Sequence, residues 1–399
     1  MIPPPTSPEP WQASAHDRYS VPRAAQELWR EAPVREITTE TGKGWLVTGM
    51  EEARFALSDP RFSRAEARRL GAVIVPSAAF AKPGINDLDA PEHTRLRRLV
   101  AGAFSTRRIR ALRPRIQEIV DDLIAGLTAP ADLVTGLCRP LPLILICEIL
   151  GVPQEDRARF AEWADRVMAA GPDTFEEAMA ALEEVVAYMA GLVADKRRDP
   201  DDSLLQDLIA ARDEQDRLSE EELIHLGCGL LAAGNESTAT MLAKGMLALL
   251  DHPDQLAALR ADPSLVPSAV EEVLRFAVLG IRPHGGQVRA TTDEVELGGV
   301  TIPAHSVVFV NLPAANFDPD EFPEPQRFDI TRDAAAGHLT FGHGPHRCLG
   351  AQLARMELEV AFGSLIAAFP ELRLAVPAEE IANTEGRIIT GLTALPVTW

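Results

Sequence analysis

Positive charge and cysteine are both scarce in this chain. Its 399 residues carry a formal net charge of −20, and so acidic a chain is a poor candidate for binding nucleic acid, whose phosphates attract basic surfaces. The four cysteines, Cys138, Cys147, Cys228 and Cys348, form no CxxC pair. Their spacing therefore excludes the common zinc motifs and a disulfide framework, and it favours a reducing cytoplasm.

Long apolar runs are also missing. The most apolar stretch, residues 140–152, is too short to span a bilayer and contains Glu148. Residues 1–10 do not combine a charged segment with an apolar run, as a signal peptide would. We therefore predict a cytoplasmic protein with no membrane anchor, and an extended arm at residues 1–15.

Apolar side chains at helical spacing, by contrast, are abundant. Hydrophobic residues make up 46% of the chain, enough for a large core, and we find no linker or repeat. The spacing predicts helices at roughly 51–57, 93–103, 107–127, 140–150, 154–170, 174–197, 202–213, 219–250, 253–260 and 264–277. Strands are predicted at roughly 44–48, 295–302 (a hairpin), 305–311 and, as a pair, 388–397. The expected fold is mainly α with a minor β portion, in a single domain over residues 1–399.

The most specific motif is FGHGPHRCLG at residues 341–350. It places Cys348 on a glycine-rich turn, and the apolar residues from Leu349 onward are spaced four, three and four, which predicts a helix that begins at this turn. A helix N-terminus favours the thiolate form of cysteine, and Gly342, Gly344 and Gly350 permit unusual backbone conformations and close approach. A lone cysteine is more often a buried free thiol, but a thiolate on such a loop indicates an axial ligand of haem iron.

This motif resembles the haem-binding loop of the cytochrome P450 family, Phe-Gly-x-Gly-x-(His/Arg)-x-Cys-x-Gly, at every position. The resemblance implies that Cys348 is the proximal thiolate ligand of haem b and that Phe341, His346 and Gly350 belong to the haem-binding site. It also implies the single-domain cytochrome P450 fold, in its soluble bacterial form.

A second motif, AGNEST at residues 233–238, lies inside the long predicted helix 219–250. Polar groups on an apolar helix need partners or a function, and the structural alternative is a kinked core helix whose Glu236 reaches solvent. The motif resembles the family pattern Ala/Gly-Gly-x-Asp/Glu-Thr-Thr/Ser, which implies that Glu236, Ser237 and Thr238 deliver protons for cleavage of the O–O bond. Ser237 stands where the family has threonine. It keeps the hydroxyl but constrains χ1 less, and Thr238 points about 100° away along the helix.

Four basic residues match positions that contact haem propionates in the family. His93 and Arg97 are one helical turn apart and face the same way, while His346 and Arg289 match two further contacts. For each of them the alternative is an ordinary surface charge.

Glu272 and Arg275 share a helix face. In the family such a pair joins a later arginine to brace the cysteine loop, and Arg327 is the residue that matches.

Residues 93–115 contain no acid and eight arginines, namely Arg95, Arg97, Arg98, Arg107, Arg108, Arg110, Arg113 and Arg115. This run is either a solvated helix face or a docking site for an acidic electron donor. The resemblance implies a ferredoxin-type iron–sulfur protein with a separate reductase, because no flavin or nicotinamide domain is fused to the chain.

We therefore expect a haem-thiolate monooxygenase that oxidises a small, largely apolar molecule. Hydroxylation of a secondary metabolite is the first hypothesis, and epoxidation or oxidative C–C coupling is the alternative. A non-catalytic haem sensor or carrier, and a peroxide-driven oxygenase, are both disfavoured by the Glu236–Ser237 pair. Nothing in the sequence demands more than a monomer. Substrate contacts are expected near residues 71–89, 168–189, 231–236, 278–287 and 388–391, with polar candidates Arg282, His284 and Thr390.

Overall fold

A computed structural model describes residues 19–20, 32–39, 42–72, 84–170, 172–213, 218–281, 287–333 and 337–399. The predicted arm at residues 1–15, most of the 71–89 loop, and the candidate substrate contacts Arg282 and His284 lie outside these residues. Helix accounts for 58% and strand for 12%, so the prediction of a mainly α fold with a minor β portion is confirmed.

The helices are α1 (Met50–Ser58), α2 (Arg64–Arg69), α3 (Glu92–Ala101), α4 (Thr106–Ala125), α5 (Pro140–Leu150), α6 (Arg157–Val167), α7 (Phe175–Arg198), α8 (Leu204–Asp213), α9 (Glu220–Asp251), α10 (Pro253–Ala261), α11 (Val266–Phe276), α12 (Leu312–Ala315) and α13 (Ala351–Ala368). All ten helices predicted between residues 51 and 277 are present, with ends displaced by at most three residues. The capping box that begins α9 shows why the ends of helices can be predicted from the sequence. The Ser219 side chain accepts from the Glu222 amide, and the Glu222 side chain accepts from the Ser219 amide.

The strands are β1 (Val34–Thr39), β2 (Gly42–Val47), β3 (Phe62–Ser63), β4 (Ala131–Asp132), β5 (Gly280–Ile281), β6 (Gln287–Thr291), β7 (Val295–Leu297), β8 (Val300–Ile302), β9 (Val307–Val310), β10 (Arg373–Leu374), β11 (Ile389–Thr390) and β12 (Pro396–Thr398). The largest sheet has the order β1-β2-β9-β6-β3, in which only β2 and β9 are parallel. The β7–β8 hairpin is confirmed, and Gly298 and Gly299 at its turn both have positive φ.

One predicted pairing is wrong. The two strands expected within residues 388–397 exist but do not pair with each other. Strand β11 pairs with β5, whereas β12 pairs with β10 and β4. Local alternation reveals that a segment is extended, but its partner is chosen by side chains distant in sequence.

Helix α9 runs through the centre of the molecule and packs against α5, α7, α11 and α13. Residues 238–249 are buried at every position, as expected of a helix enclosed on all sides. The N-terminal half of the same helix carries the AGNEST motif, so α9 anchors the candidate site to the core.

Candidate active site

The loop around Cys348 is held by its own backbone. The Cys348 amide donates to the carbonyl oxygen of Phe341 over 2.8 Å. Gly342 and Gly344 have φ values of +70° and +66°, a region that favours glycine, and a Cβ atom on Gly344 would collide with the carbonyl oxygen of Leu57. The expectation for these two glycines is confirmed.

One local expectation about the loop is wrong. Gly350 has φ −79°, which any residue adopts, so it is not needed for an unusual conformation. A Cβ atom there would lie 3.9 Å from Cys348 Sγ, in ordinary van der Waals contact with the sulfur. Helix α13 begins at Ala351, so Cys348 lies on the turn that leads into the helix, as expected.

Cys348 is exposed, whereas the other three cysteines are buried and all four are free. Desolvation by the surrounding protein raises the pKa of the Cys348 thiol, and the Gly350 amide, Arg97 and Arg347 offset this only in part. The polypeptide alone therefore does not favour the thiolate, because desolvation outweighs these contacts. A bound metal ion would supply the missing driving force, since coordination deprotonates a thiol outright.

The four basic residues predicted to bind propionates come together beside this loop. The ring centroids of His93, from α3, and His346 are 3.9 Å apart. Arg97, one turn after His93, donates through Nη2 to the carbonyl oxygen of Arg347. Arg289, from β6, is only 1% exposed, and its Nη1 donates to the carbonyl oxygen of its neighbour Val288.

This cluster has the polar groups of an anion site. Arg289 Nη2 and His346 Nδ1 are buried and make no hydrogen bond to any described residue. Burial, followed by the charges of Arg289 and other cations, lowers the pKa of His346 to about 2. Buried donors without an acceptor are costly, and two carboxylates would satisfy them. The residues present therefore fit the propionate groups of a haem.

One face of α9 is open in the N-terminal half of the helix. Ala232 and Ala233 are exposed, and Glu236 and Ser237, each four residues further on, are partly exposed. Ser237 Oγ donates to the carbonyl oxygen of Ala233 over 3.2 Å, which leaves its lone pairs free to accept a hydrogen bond. Thr238 is 6% exposed and lies on the packed side of the helix.

Glu236 is paired rather than solvated. Its Oε2 lies 3.2 Å from Arg387 Nη2, and Arg387 Nη1 lies 3.2 Å from Asp165 Oδ1 on α6. The side chain of Glu236 is 13% exposed and that of Arg387 is 17% exposed, so the carboxylate lies in a mostly buried ion pair that keeps a small contact with solvent. Arg387 was missed in the sequence, where only its position just before the predicted substrate turn 388–391 could have drawn attention.

The predicted charged cluster forms, but with a different third member. Arg275 Nε and Nη2 bind the two carboxylate oxygens of Glu272 over 2.7 and 2.8 Å, and both side chains are 2% exposed. The prediction of Arg327 is wrong, because its side chain is 61% exposed and only its carbonyl oxygen faces Arg275. Arg332 takes its place, with Nε 3.3 Å from Glu272 Oε2.

A second support reaches the cysteine loop from α13. Arg355 lies with its guanidinium carbon 4.6 Å from the ring centroid of Phe341 and binds the carboxylate of Glu271 over 2.5 and 2.9 Å. Desolvation opposes ionisation of Glu271, but the approach of His338 Nε2 to 3.3 Å and the two hydrogen bonds from Arg355 outweigh it and lower its pKa to about 2. The sequence alone did not indicate Arg355.

The basic run at residues 93–115 is partly neutralised. Four of its arginines form salt bridges: Arg95 with Glu222, Arg108 with Asp207, Arg113 with Glu359, and Arg115 with Glu118 and Glu148. Arg98, Arg107 and Arg110 are exposed, and among the described residues no acid lies within salt-bridge distance of them. We call these three residues the basic patch. Across the described part of the chain, no helix is long and apolar enough to cross a membrane.

An exposed cysteine on a glycine-shaped loop, beside buried donors that require carboxylates, defines a haem-thiolate site. The Cytochrome P450 family model matches residues 160–389. The chain is 44% identical over 398 residues to vitamin D(3) 25-hydroxylase of Pseudonocardia autotrophica, covering 97% of this chain and 94% of that protein. It is 40% identical over 400 residues to mycinamicin IV hydroxylase/epoxidase of Micromonospora griseorubida, covering 99% and 100%.

A solved structure of cytochrome P450mel, an enzyme with biaryl coupling reactivity, superimposes with a TM-score of 0.89 at 37% identity and covers 98% of each chain. This chain belongs to the cytochrome P450 family. It is a haem b monooxygenase of the bacterial type, with a cysteine thiolate as the axial ligand. The predictions of fold, enzyme class and cofactor are confirmed, and the sensor or carrier alternative is disfavoured.

Proposed function

We propose that this protein hydroxylates a small, largely apolar secondary metabolite, as a cytoplasmic monomer that receives its electrons from a ferredoxin-type protein. The observation that carries the proposal is the pair Glu236 and Ser237 on the open face of α9. An acid and a hydroxyl on an otherwise apolar helix face suit proton delivery during oxygen activation. Relatives named for hydroxylation of vitamin D(3) and of mycinamicin IV support the reaction class.

In this proposal, Cys348 coordinates the haem iron, while Phe341 and Gly350 flank the ligand. His93, Arg97, Arg289 and His346 hold the propionates, since the structure leaves Arg289 Nη2 and His346 Nδ1 without protein partners among the described residues. When bound, the haem supplies the redox chemistry that activates dioxygen.

Ser237 and Glu236 are assigned to proton movement. The hydroxyl proton of Ser237 points at the Ala233 carbonyl oxygen, so its lone pairs can accept a hydrogen bond from a water molecule and hold that water in place. Glu236 can exchange protons with solvent when its carboxylate rotates away from Arg387. We assign Thr238 to packing instead, because it is buried on the other side of the helix.

Epoxidation or oxidative C–C coupling is the second candidate reaction. It is favoured by the relative that is named as both hydroxylase and epoxidase and by the structural similarity to an enzyme with biaryl coupling reactivity. The replacement of the usual threonine by Ser237 supports the same alternative. Hydroxylation and epoxidation each add one oxygen atom to the substrate, whereas coupling removes two hydrogen atoms, so product masses separate coupling from the other two.

The test is reconstitution of the holoenzyme with a plant-type ferredoxin, its reductase, NADPH and ¹⁸O₂. Vitamin D(3) and mycinamicin IV are the first probes, followed by a panel of apolar natural products. Each compound is screened for the shift of the Soret band that accompanies displacement of iron-bound water. The expected result is a product carrying one ¹⁸O atom for a compound that gives the spectral shift. Shift-inducing compounds that yield only reduced oxygen species would contradict the proposal, and Cys348→Ala provides the inactive control.

The basic patch is the proposed contact for the electron donor. Opposite charges accelerate association and change its salt dependence more than they change affinity. Arg107→Glu and Arg110→Glu should therefore raise the KM for ferredoxin severalfold at low ionic strength and flatten its dependence on salt. Arg198→Glu, at the exposed end of α7, is the matched control. Equal effects of all three substitutions would refute this contact surface.

A further inference from the structure

Arg64 lies next to Arg289, because it directly follows a strand that pairs with the strand of Arg289. Strand β3 pairs antiparallel with β6, with Phe62 opposite Thr291 and Ser63 opposite Ala290. Arg64 follows directly, as the first residue of helix α2, and the side-chain oxygen of Gln287 on β6 contacts both Arg64 Nη2 and Arg289 Nη1. Like charges held this close destabilise each other. The fold therefore sets two guanidinium groups side by side.

Among the described residues, no carboxylate accepts a hydrogen bond from either guanidinium group, although the charges of Asp87 and Asp89 act on Arg64. Arg64 Nη2 donates to the amide oxygen of Gln287, a neutral group that also lies 3.5 Å from Arg289 Nη1. Asp89 is close in sequence and space, but its carboxylate accepts from the Ser63 hydroxyl and the Arg64 backbone amide rather than from a guanidinium. Arg64 Nε and Arg289 Nη2 are buried and have no hydrogen-bond partner among the described residues.

The same charge also acts on the other members of the propionate cluster. Burial lowers the pKa of Arg64 to about 10, and burial together with the Arg64 charge lowers the pKa values of His93 and Arg289. Mutual destabilisation of this kind is relieved by an anion bound among the cations. A propionate pair carries two negative charges, which suits a site built from three guanidinium groups and two imidazoles.

We propose that Arg64 is a further haem-binding residue, which shares a propionate with Arg289. The inference rests on the haem of the cytochrome P450 family and not on the proposed substrate or reaction. No motif in the sequence marks Arg64, because it stands in an ordinary run of surface-type residues with Arg61, Arg68 and Arg69.

The test uses the holoenzymes of Arg64→Gln and Arg64→Lys. Haem transfer from the ferric protein to excess apomyoglobin should be about tenfold faster for Arg64→Gln, because one charge-assisted hydrogen bond is lost. The ferric/ferrous potential should fall as well, because a cation near the propionates favours the electron-rich ferrous state. Arg64→Lys should restore most of the potential. The matched control is Arg69→Gln on the same helix, whose side chain is 62% exposed and paired with Glu66.

A potential that is unchanged in Arg64→Gln would overturn the proposal, even if haem transfer were faster, because that combination indicates a merely structural role. Wild-type behaviour in both measurements would overturn it too. Failure to find a substrate or to oxidise one would leave these measurements intact, so the two proposals fail independently.

Discussion

Arg332 and Arg327 should respond very differently to replacement by alanine. Arg332 is 14% exposed, and its Nε approaches the buried carboxylate of Glu272. Its two terminal nitrogens donate to the carbonyl oxygens of Pro323, Glu324 and Arg327 over 2.7 to 3.2 Å. The side chain therefore ties the turn at residues 323–327 to helix α11, which lies beneath the cysteine loop.

The expected cost follows from these contacts. Loss of hydrogen bonds to a charged group costs about 1.5 to 3 kcal/mol, and Glu272 stays paired with Arg275, so the larger penalty of an isolated buried charge is avoided. We expect Arg332→Ala to lower the free energy of unfolding by about 2 to 3 kcal/mol. Arg327→Ala should change it by less than about 1 kcal/mol, because its contacts to Glu324 and Asp329 are exposed and 3.8 Å long.

The measurement is thermal unfolding of both holoenzymes by circular dichroism, with the haem content determined from the reduced carbon monoxide spectrum. Arg332→Ala should lower the Tm by roughly 3 °C and reduce the haem content after expression, whereas Arg327→Ala should match the wild type in both. A larger effect of Arg327→Ala, or equal effects of the two substitutions, would show that the side chain facing Glu272 has been misassigned.

Three further predictions concern the site. Ser237→Ala should keep NADPH consumption but lower the product formed per NADPH by at least about tenfold, whereas Ser237→Thr, with its restricted χ1, should couple at least as well as the wild type. Arg387→Gln should lower the same ratio severalfold, because Glu236 loses its fixed partner, and Arg387→Lys should recover part of it. The lowered pKa of Glu271 stabilises the fold above about pH 4.5, and this contribution is lost as the pH falls toward about 2. Glu271→Gln should therefore lower the Tm at pH 7 and flatten its dependence on pH in that window.

Most of the helical architecture could be predicted because its signals are local. Apolar periodicity and the Ser219–Glu222 capping box are contained within a few turns of chain, and the corresponding ends agree with the structure. Strand partners could not be predicted in the same way. Strand β1, with the sequence VREITT, has weak alternation and was missed, and the separation of β11 from β12 depends on β4 and β5, which lie more than 100 residues earlier.

The same distinction between local and distant signals applies to the candidate site. The backbone features of the Cys348 loop, and the meeting of His93 with His346, follow from motifs whose residues have fixed spacing. The arginines that complete the site, Arg64, Arg332 and Arg387, were missed. A guanidinium group reaches several ångströms from its backbone, so its partner depends on the path of the surrounding loops and not on sequence distance.

The run of eight arginines at residues 93–115 shows that the charge of a sequence segment does not give the charge of the surface it forms. Arg97 turns inward to the cysteine loop, and four of the others are neutralised by acids from α4, α5, α8, α9 and α13. Three remain exposed without an acidic partner among the described residues. With a net charge of −20, acids are available to pair with cations throughout the fold. The proposed contact for an acidic electron donor is therefore limited to the basic patch, because it is the part of this run whose charge is not paired with a described acid.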